Sequence, residues 1–577
     1  FRPFLFATLA FAAFLWANGV AASLEAGRRV VSRVDVRVAA AVLAVSATFT
    51  AWHHGTTAGF GADSYGYVSQ ADLWLAGDLV IEEPWAEAAP WPRAAWTFAP
   101  LGYRPPVGDE NRAELVPTYA PGLPMVLALF KAVGGHCAMF LAVPLSAGLL
   151  VWSTFALGRQ LGSAAAGLIG AWLVATSPAM VLAAMRPMTD VPVAACWTLA
   201  FVLAFGRWRP APFFAGLLAG LAILIRPNLV LLAAVPGAWF VLRKQGAAPG
   251  IAGRVVALSA YVAGLAPGIV TTCVVFDMLY GSPFVSGYGR LEDQFAWANV
   301  LPNMQRYATW LIETQTVVAL AGVAAVAFPV RRLWPGVRDR RVFWVIGAFA
   351  AVLWIQYWFY IVFDDWGFLR FLLPFWPLMF IGLGAVAVVA FGDHRPLFVL
   401  AAVWLVLALG IRGRAMIVER GLLNLWAGDS VSVGAALGVR AVTAPNSVVL
   451  TWLHSGSLRH YSGRITMRYD ILDHEWLDRA VSWFAARGIQ VYALLDEASI
   501  DRYDSEVEYF AERFAGQATA GRLKAGPVYT YGGPRPVHLF ALSTPAPPSA
   551  GEPDPSIDDP AHLHCVPPVP RGALPLK

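Results

Sequence analysis

Along residues 3–412 the chain alternates between long apolar runs and short polar breaks. The apolar runs cover 3–22, 38–53, 138–158, 162–184, 191–206, 211–225, 228–242, 255–275, 308–329, 342–362, 371–390 and 396–412. A helix needs about 17–25 mostly apolar residues to cross a hydrocarbon core. The pattern therefore predicts a polytopic α-helical membrane protein of about 11–12 spans. One further apolar stretch, 122–134, gives only roughly 20 Å of helix against a core of about 30 Å. It is expected to be re-entrant or to lie at the surface.

Beyond residue 413 the period changes. "NSVVLTWL", "RITMRY", "IQVYALL" and "VHLFAL" are short β-rich runs, and helical patterns such as "HEWLDRAVSWFAARG" stand between them. Alternating strand and helix predicts a small α/β domain with a mainly parallel sheet over 413–542. The proline-rich stretch 543–577 is expected not to pack. The remaining segments are an N-terminal helix with a basic loop, 1–37, and a transmembrane domain, 38–412, whose first outer loop is 54–121. The chain does not open on Met, so a truncated N-terminus is expected. No internal repeat is visible.

Composition agrees: of 577 residues, 58% are hydrophobic and 14% charged, against about a quarter charged in soluble domains. The net charge of +5 reflects Arg and Lys in short loops between the runs, a sign of membrane orientation and not of nucleic-acid binding. Loops holding Arg28, Arg29, Arg33 and Arg37, Arg159, Arg207 and Arg209, Arg243 and Lys244, and Arg331 to Arg341 alternate with the others if 122–134 does not cross. The positive-inside rule makes them cytoplasmic. Loops 54–121, 185–190, 226–227, 276–307 and 363–370 are then extracytoplasmic, and so is the C-terminal domain. Cys137, Cys196, Cys273 and Cys565 show no disulfide framework or zinc spacing.

Candidate chemistry gathers in those outer loops. Asp63, in "GADSYGY", and Asp190, in "AAMRPMTDVPVAA", each stand where a span meets the outer surface. Arg186, Arg226, Arg290, Arg306 and Arg370 fall on the same side. Charge is costly near hydrocarbon, so its convergence on one face suggests function. A lone Arg at a helix end can also simply snorkel to headgroups. Asp72, Asp78, Glu82 and Glu83 read as solvated surface charges, His53 and His54 as interfacial. "HLHC" at 562–565 reads as a tail feature and not as a metal cluster. "LHSGSLRHYSGR" reads as a structural turn and not as an anion site.

These pieces in order resemble the membrane glycosyltransferases of the C-type fold, in particular the protein O-mannosyltransferase and aminoarabinose transferase superfamily with its bacterial lipopolysaccharide-core enzymes. The resemblance covers about 38–412. It is carried by "GADSYGY", "YAPGLPMVLALFKAVGG", "ALGRQLG", "SPAMVLAAMRPMTDVP", "GLLAGLAILIRPNLVLLAAVP", "YGSPFVSGYG" and "RFLLPFWPL". Ser64 follows Asp63 where many relatives carry an acidic pair, so two adjacent carboxylates are not expected to act together. The α/β domain is not a general family feature.

The resemblance implies transfer of a sugar from a polyprenyl-phosphate donor to a glycan, lipid or protein acceptor at the extracytoplasmic face of a bacterial inner membrane, with inversion. Asp63 is the expected base. Asp190 would orient the acceptor, assist Asp63 or help hold a divalent cation. Arg226, Arg290, Arg370 and Arg186 are the candidates to grip phosphate. Tyr65, Tyr103, Tyr119 and Tyr288 would stack on sugar or flank lipid. The rival reading is a polytopic lipid or sugar transporter or flippase, since charges within a membrane also mark transport paths.

Overall fold

The computed structural model describes residues 35–108, 113–243, 250–337, 339–391, 396–498, 503–543 and 555–569. The apolar run 3–22 lies outside them. Among the described residues, seven helices are long and apolar enough to cross a membrane, or nine if each of two bent pairs is one span. Asp190–Phe205, Ala211–Ile225 and Pro227–Leu242 are apolar but shorter. The protein is a multi-pass membrane protein. The run 308–329 is not one straight element: Trp297–Gln315 and Ala319–Ala327 bend by 119° at Thr316, whose φ is +65°.

The helix predicted at 122–134 extends over Gly122–Met139 and breaks at Gly135, φ +79°. Its start adjoins the turn after Tyr119, which reaches Asp63. Lys131 pairs with Asp72 of the helix Asp63–Ala76. Cys137 is disulfide-bonded to Cys565. The helix is thus tied at start, middle and end to elements at the end of the bundle that carries the α/β domain. Its length and composition alone would let it cross.

Helices Ala211–Ile225 and Ile251–Tyr280 pack backbone to backbone. A methyl group added at Gly216 would strike Tyr261 O, and one at Gly268 would strike Gly220 O. The small-xxx-small spacing on both helices permits this approach. It fixes Arg226, just past the end of the first helix, near Thr272 and Phe276 of the second; all three line one cavity.

Strands β1 (Ile81–Glu82), β2 (Tyr103–Arg104) and β3 (Glu114–Pro117) make a small antiparallel sheet in the first long loop, in the order β1-β3-β2. The C-terminal sheet uses β4 (Val448–Leu450), β5 (Ile465–Met467), β6 (Val491–Asp496), β7 (Tyr529–Tyr531) and β8 (Val537–Ala541), in the order β5-β4-β6-β8-β7. The β5-β4-β6 half is parallel as expected. The other half is antiparallel, because β8 returns against β6 and pairs with β7.

Every residue of β6 is buried, which fits a strand covered on both faces. Val491, Ala493 and Leu495 enter one core; Tyr492 and Leu494 enter the other. The first core contains Trp85, Trp91 and Phe98 of the first loop, packed against Phe484. The Trp-rich stretch is therefore part of the α/β domain. Helix Leu425–Val442 belongs to the second core through Val431, Ala435 and Val439.

Several expectations need correction. Cys137 and Cys565 do form a disulfide, across 428 positions of sequence. Part of the proline-rich stretch packs: His564 stacks on Trp426, and the Cys565 N–H donates to Thr57 Oγ1. Glu83 is not solvated; it is buried and accepts a 2.6 Å bond from Arg459 Nη2. Asp72 is held by Lys131.

Candidate active site

Asp63 opens its helix directly after a turn made by Gly61, φ +59°. Its carboxylate is not spent on capping. Oδ1 accepts a 2.6 Å hydrogen bond from the Tyr119 hydroxyl, and Oδ2 accepts one of 3.2 Å from Arg370 Nη2. Gly66 makes room for this arrangement, since any Cβ there would run into the Tyr119 ring. Burial, reinforced by the Asp63 charge, pushes the Tyr119 phenol well above its usual range. The hydroxyl therefore stays a donor.

Asp190 heads helix Asp190–Phe205, and Arg226 follows the last residue of Ala211–Ile225. The two helices pack on each other across a short turn, so the start of one meets the end of the other. Negative charge suits the first position and positive charge the second. Arg226 Nη1 lies 2.8 Å from Asp190 Oδ1. Arg370, in the 3-10 segment Trp366–Phe375, places Nε 3.6 Å from Asp190 Oδ2. Arg370 thus bridges the two carboxylates.

Asp190 is only 1% exposed at its side chain, Asp63 35%. Asp190 Oδ1 is taken up by Arg226, whereas Arg370 Nε is buried without a hydrogen bond among the described residues. Buried polar atoms are normally satisfied, so Arg370 keeps bonding capacity for a ligand.

All four charged groups line one cavity of about 1130 Å³. Most of its wall is apolar or aromatic, including Phe276, Tyr357, Tyr360 and Phe368. The Phe371 ring lies 4.8 Å from Arg226 Cζ and 5.6 Å from Arg370 Cζ. Guanidinium groups fixed this way match a phosphate's oxygens, and the greasy walls suit an isoprenoid-like chain.

Of the candidates, Asp63, Asp190, Arg226, Arg370, Tyr119 and Tyr288 line the cavity. Four do not. Arg186 turns away and makes two bonds, of 3.1 and 2.9 Å, to Asp429 of the α/β domain. Arg290 is exposed and faces Glu292 at 3.2 Å. Tyr65 and Tyr103 are buried beside each other, where Tyr103 shares a 2.8 Å bond with Ser69. Sequence reasoning missed Asn228, Tyr357 and Tyr360. Asn228 Nδ2 donates to the Tyr357 hydroxyl at 3.3 Å. The signals available were a polar residue in "LIRPNLV" and the tyrosines closing "WIQYWFY".

A divalent ion does not fit this donor set. No group of three or more His, Cys, Asp or Glu stands ready to hold a metal among the described residues. The Arg370 guanidinium also occupies the bridging position between Asp63 and Asp190.

The fold is that of the C-type membrane glycosyltransferases. The chain is similar to the crystal structure of ArnT from Cupriavidus metallidurans bound to undecaprenyl phosphate, at 14% identity and TM-score 0.50, covering 89% of this chain and 99% of that one. It is also similar to the Archaeoglobus fulgidus oligosaccharyltransferase tethered to an acceptor peptide, at 13% identity, TM-score 0.47, and coverage of 79% and 69%. Arabinofuranosyltransferase AftD from Mycobacteria matches at 13% identity and TM-score 0.47, over 88% of this chain and 41% of that one. No protein-family model and no curated protein sequence matches the chain.

Proposed function

We propose that the protein is a glycosyltransferase that moves a sugar from a polyprenyl phosphate to an acceptor hydroxyl. The observation that carries this reading is the meeting of Asp63, Asp190, Arg226 and Arg370 in one largely apolar cavity. A lipid chain can lie along the apolar wall while the guanidiniums receive the phosphate. The fold it shares with ArnT, whose structure binds undecaprenyl phosphate, supports this donor class.

In this reading Arg226 and Arg370 neutralise the charge that grows on the phosphate as the bond to the anomeric carbon breaks. Asp190 holds both guanidiniums in place. Asp63 takes the proton of the acceptor hydroxyl, whose oxygen forms the new bond to the anomeric carbon. The polyprenyl phosphate leaves with the electron pair. A single displacement inverts the anomeric centre. Tyr119 fixes the Asp63 carboxylate. The reaction takes place at the extracytoplasmic face of a bacterial inner membrane, the side on which we place the α/β domain.

The test uses proteoliposomes and a polyprenyl-phosphate sugar labelled in the sugar. Transfer of label to an acceptor hydroxyl is expected, with loss of about 10²–10⁴-fold in the Asp63→Asn variant. Movement of labelled lipid between leaflets with no glycosidic product would establish the flippase instead.

A further inference from the structure

A second cavity, of about 700 Å³, opens on the α/β domain. Its wall comes from the connections that leave two parallel strands. Asp473, Glu475 and Trp476 follow β5; Tyr503, Tyr509 and Glu512 follow β6. Open α/β sheets bind ligands outside the carboxyl ends of their strands, and here the same two connections carry the aromatic and acidic side chains.

The cavity is built and not merely left over. Arg513, in the helix after β6, donates from Nε to Tyr469 O at 3.1 Å and from Nη2 to Leu472 O at 2.9 Å. Those two bonds clamp the β5 connection to the β6 helix. Arg93 of the first loop holds the same β5 connection, 2.7 Å from Asp473 Oδ1. Tyr509 is braced by Trp452 and Tyr503, at 5.6 and 5.2 Å between centroids.

Three aromatic rings beside three carboxylates suit a ligand with apolar C–H faces and many hydroxyl donors. Sugar rings have both: their faces pack on Trp and Tyr, and carboxylate oxygens accept from their hydroxyls. Arg513 stands among the acids and Arg93 pairs with Asp473, which offsets part of the negative field that a cationic ligand would need. We propose that this cavity is a binding site for a neutral oligosaccharide segment, and that it holds the acceptor glycan of the transfer reaction. The acceptor role rests on the transferase reading; the binding site itself does not.

The test is binding of the intact chain in nanodiscs to an array of immobilised neutral hexasaccharides of glucose, mannose, galactose, N-acetylglucosamine and arabinofuranose, with oligolysine as the cationic control. Wild type and Asp63→Asn should both be retained by at least one neutral glycan, and Trp476→Ala should lose at least about tenfold in retention. Should that variant not be recovered folded, Glu475→Gln combined with Glu512→Gln carries the same test, since both are expected to weaken hydroxyl acceptance. Retention by no neutral glycan, retention by oligolysine alone, or equal retention of the altered protein overturns the site. Retention that depends on Trp476, in a protein that transfers no sugar, would leave the site standing and remove the transferase reading.

Discussion

Arginine meets carboxylate out of water in two regions of this molecule, with different consequences. In the α/β domain Arg459 and Glu83 lie 2.6 Å apart, 4% and 2% exposed at their side chains, and the guanidinium's other end faces Phe98 O at 3.4 Å. Nothing is left over, and the pair staples the first loop to the domain. At the helical end Arg226 and Arg370 share two carboxylates, leave Arg370 Nε without a hydrogen bond among the described residues and face a cavity. Both regions bear the desolvation cost of buried charge. Only the second keeps part of its bonding capacity open, and that distinguishes a site from a joint.

The contrast is sharpest in substitutions that remove one partner. Glu83→Gln strands Arg459 in a closed core and should cost about 3–5 kcal/mol of stability. Transfer per folded molecule should hold; thermal unfolding and specific activity measured side by side check this. Arg370→Met should do the reverse. Transfer is expected to fall about 10²–10³-fold with a much smaller change in unfolding, because Asp190 keeps Arg226 and Asp63 is part-exposed.

Smaller effects follow at the edges of each region. Tyr119→Phe removes one hydrogen bond to Asp63 and should lower kcat about tenfold. In the domain, burial, with Lys131 nearby, pushes His460 down to about 3. A base depressed in the folded state takes up its proton more readily unfolded, so its contribution is complete above pH 6.5 and is lost as pH falls toward 3. Unfolding followed against pH should show this loss in the wild type and a shallower one in His460→Asn.

Much of this organisation is legible in the sequence, because apolar length and charge position are local properties. The runs that became helices, the β-rich pieces that became β4, β5, β6 and β8, and the quartet Asp63, Asp190, Arg226 and Arg370 all stand out from their neighbours. What was missed depends on partners far along the chain. Arg186 reads as a phosphate ligand until Asp429, 243 positions later, is seen to hold it. Glu83 reads as solvated until Arg459 arrives 376 positions on. The Trp-rich loop has no helical or strand period, so nothing local says that it completes a core. Tyr357 and Tyr360 end a nearly unbroken apolar run, where a cavity wall looks like any other buried face.

The most direct measurement is an electron cryo-microscopy structure of the full chain in nanodiscs with a polyprenyl phosphate. The account predicts phosphate oxygens within about 3 Å of the Arg226 and Arg370 guanidiniums, the lipid chain along the Phe276 and Tyr357 wall, and Asp63 on the attack side, where the acceptor hydroxyl approaches. Phosphate bound at Arg290 or elsewhere on the surface, with the cavity left to detergent or water, would contradict it.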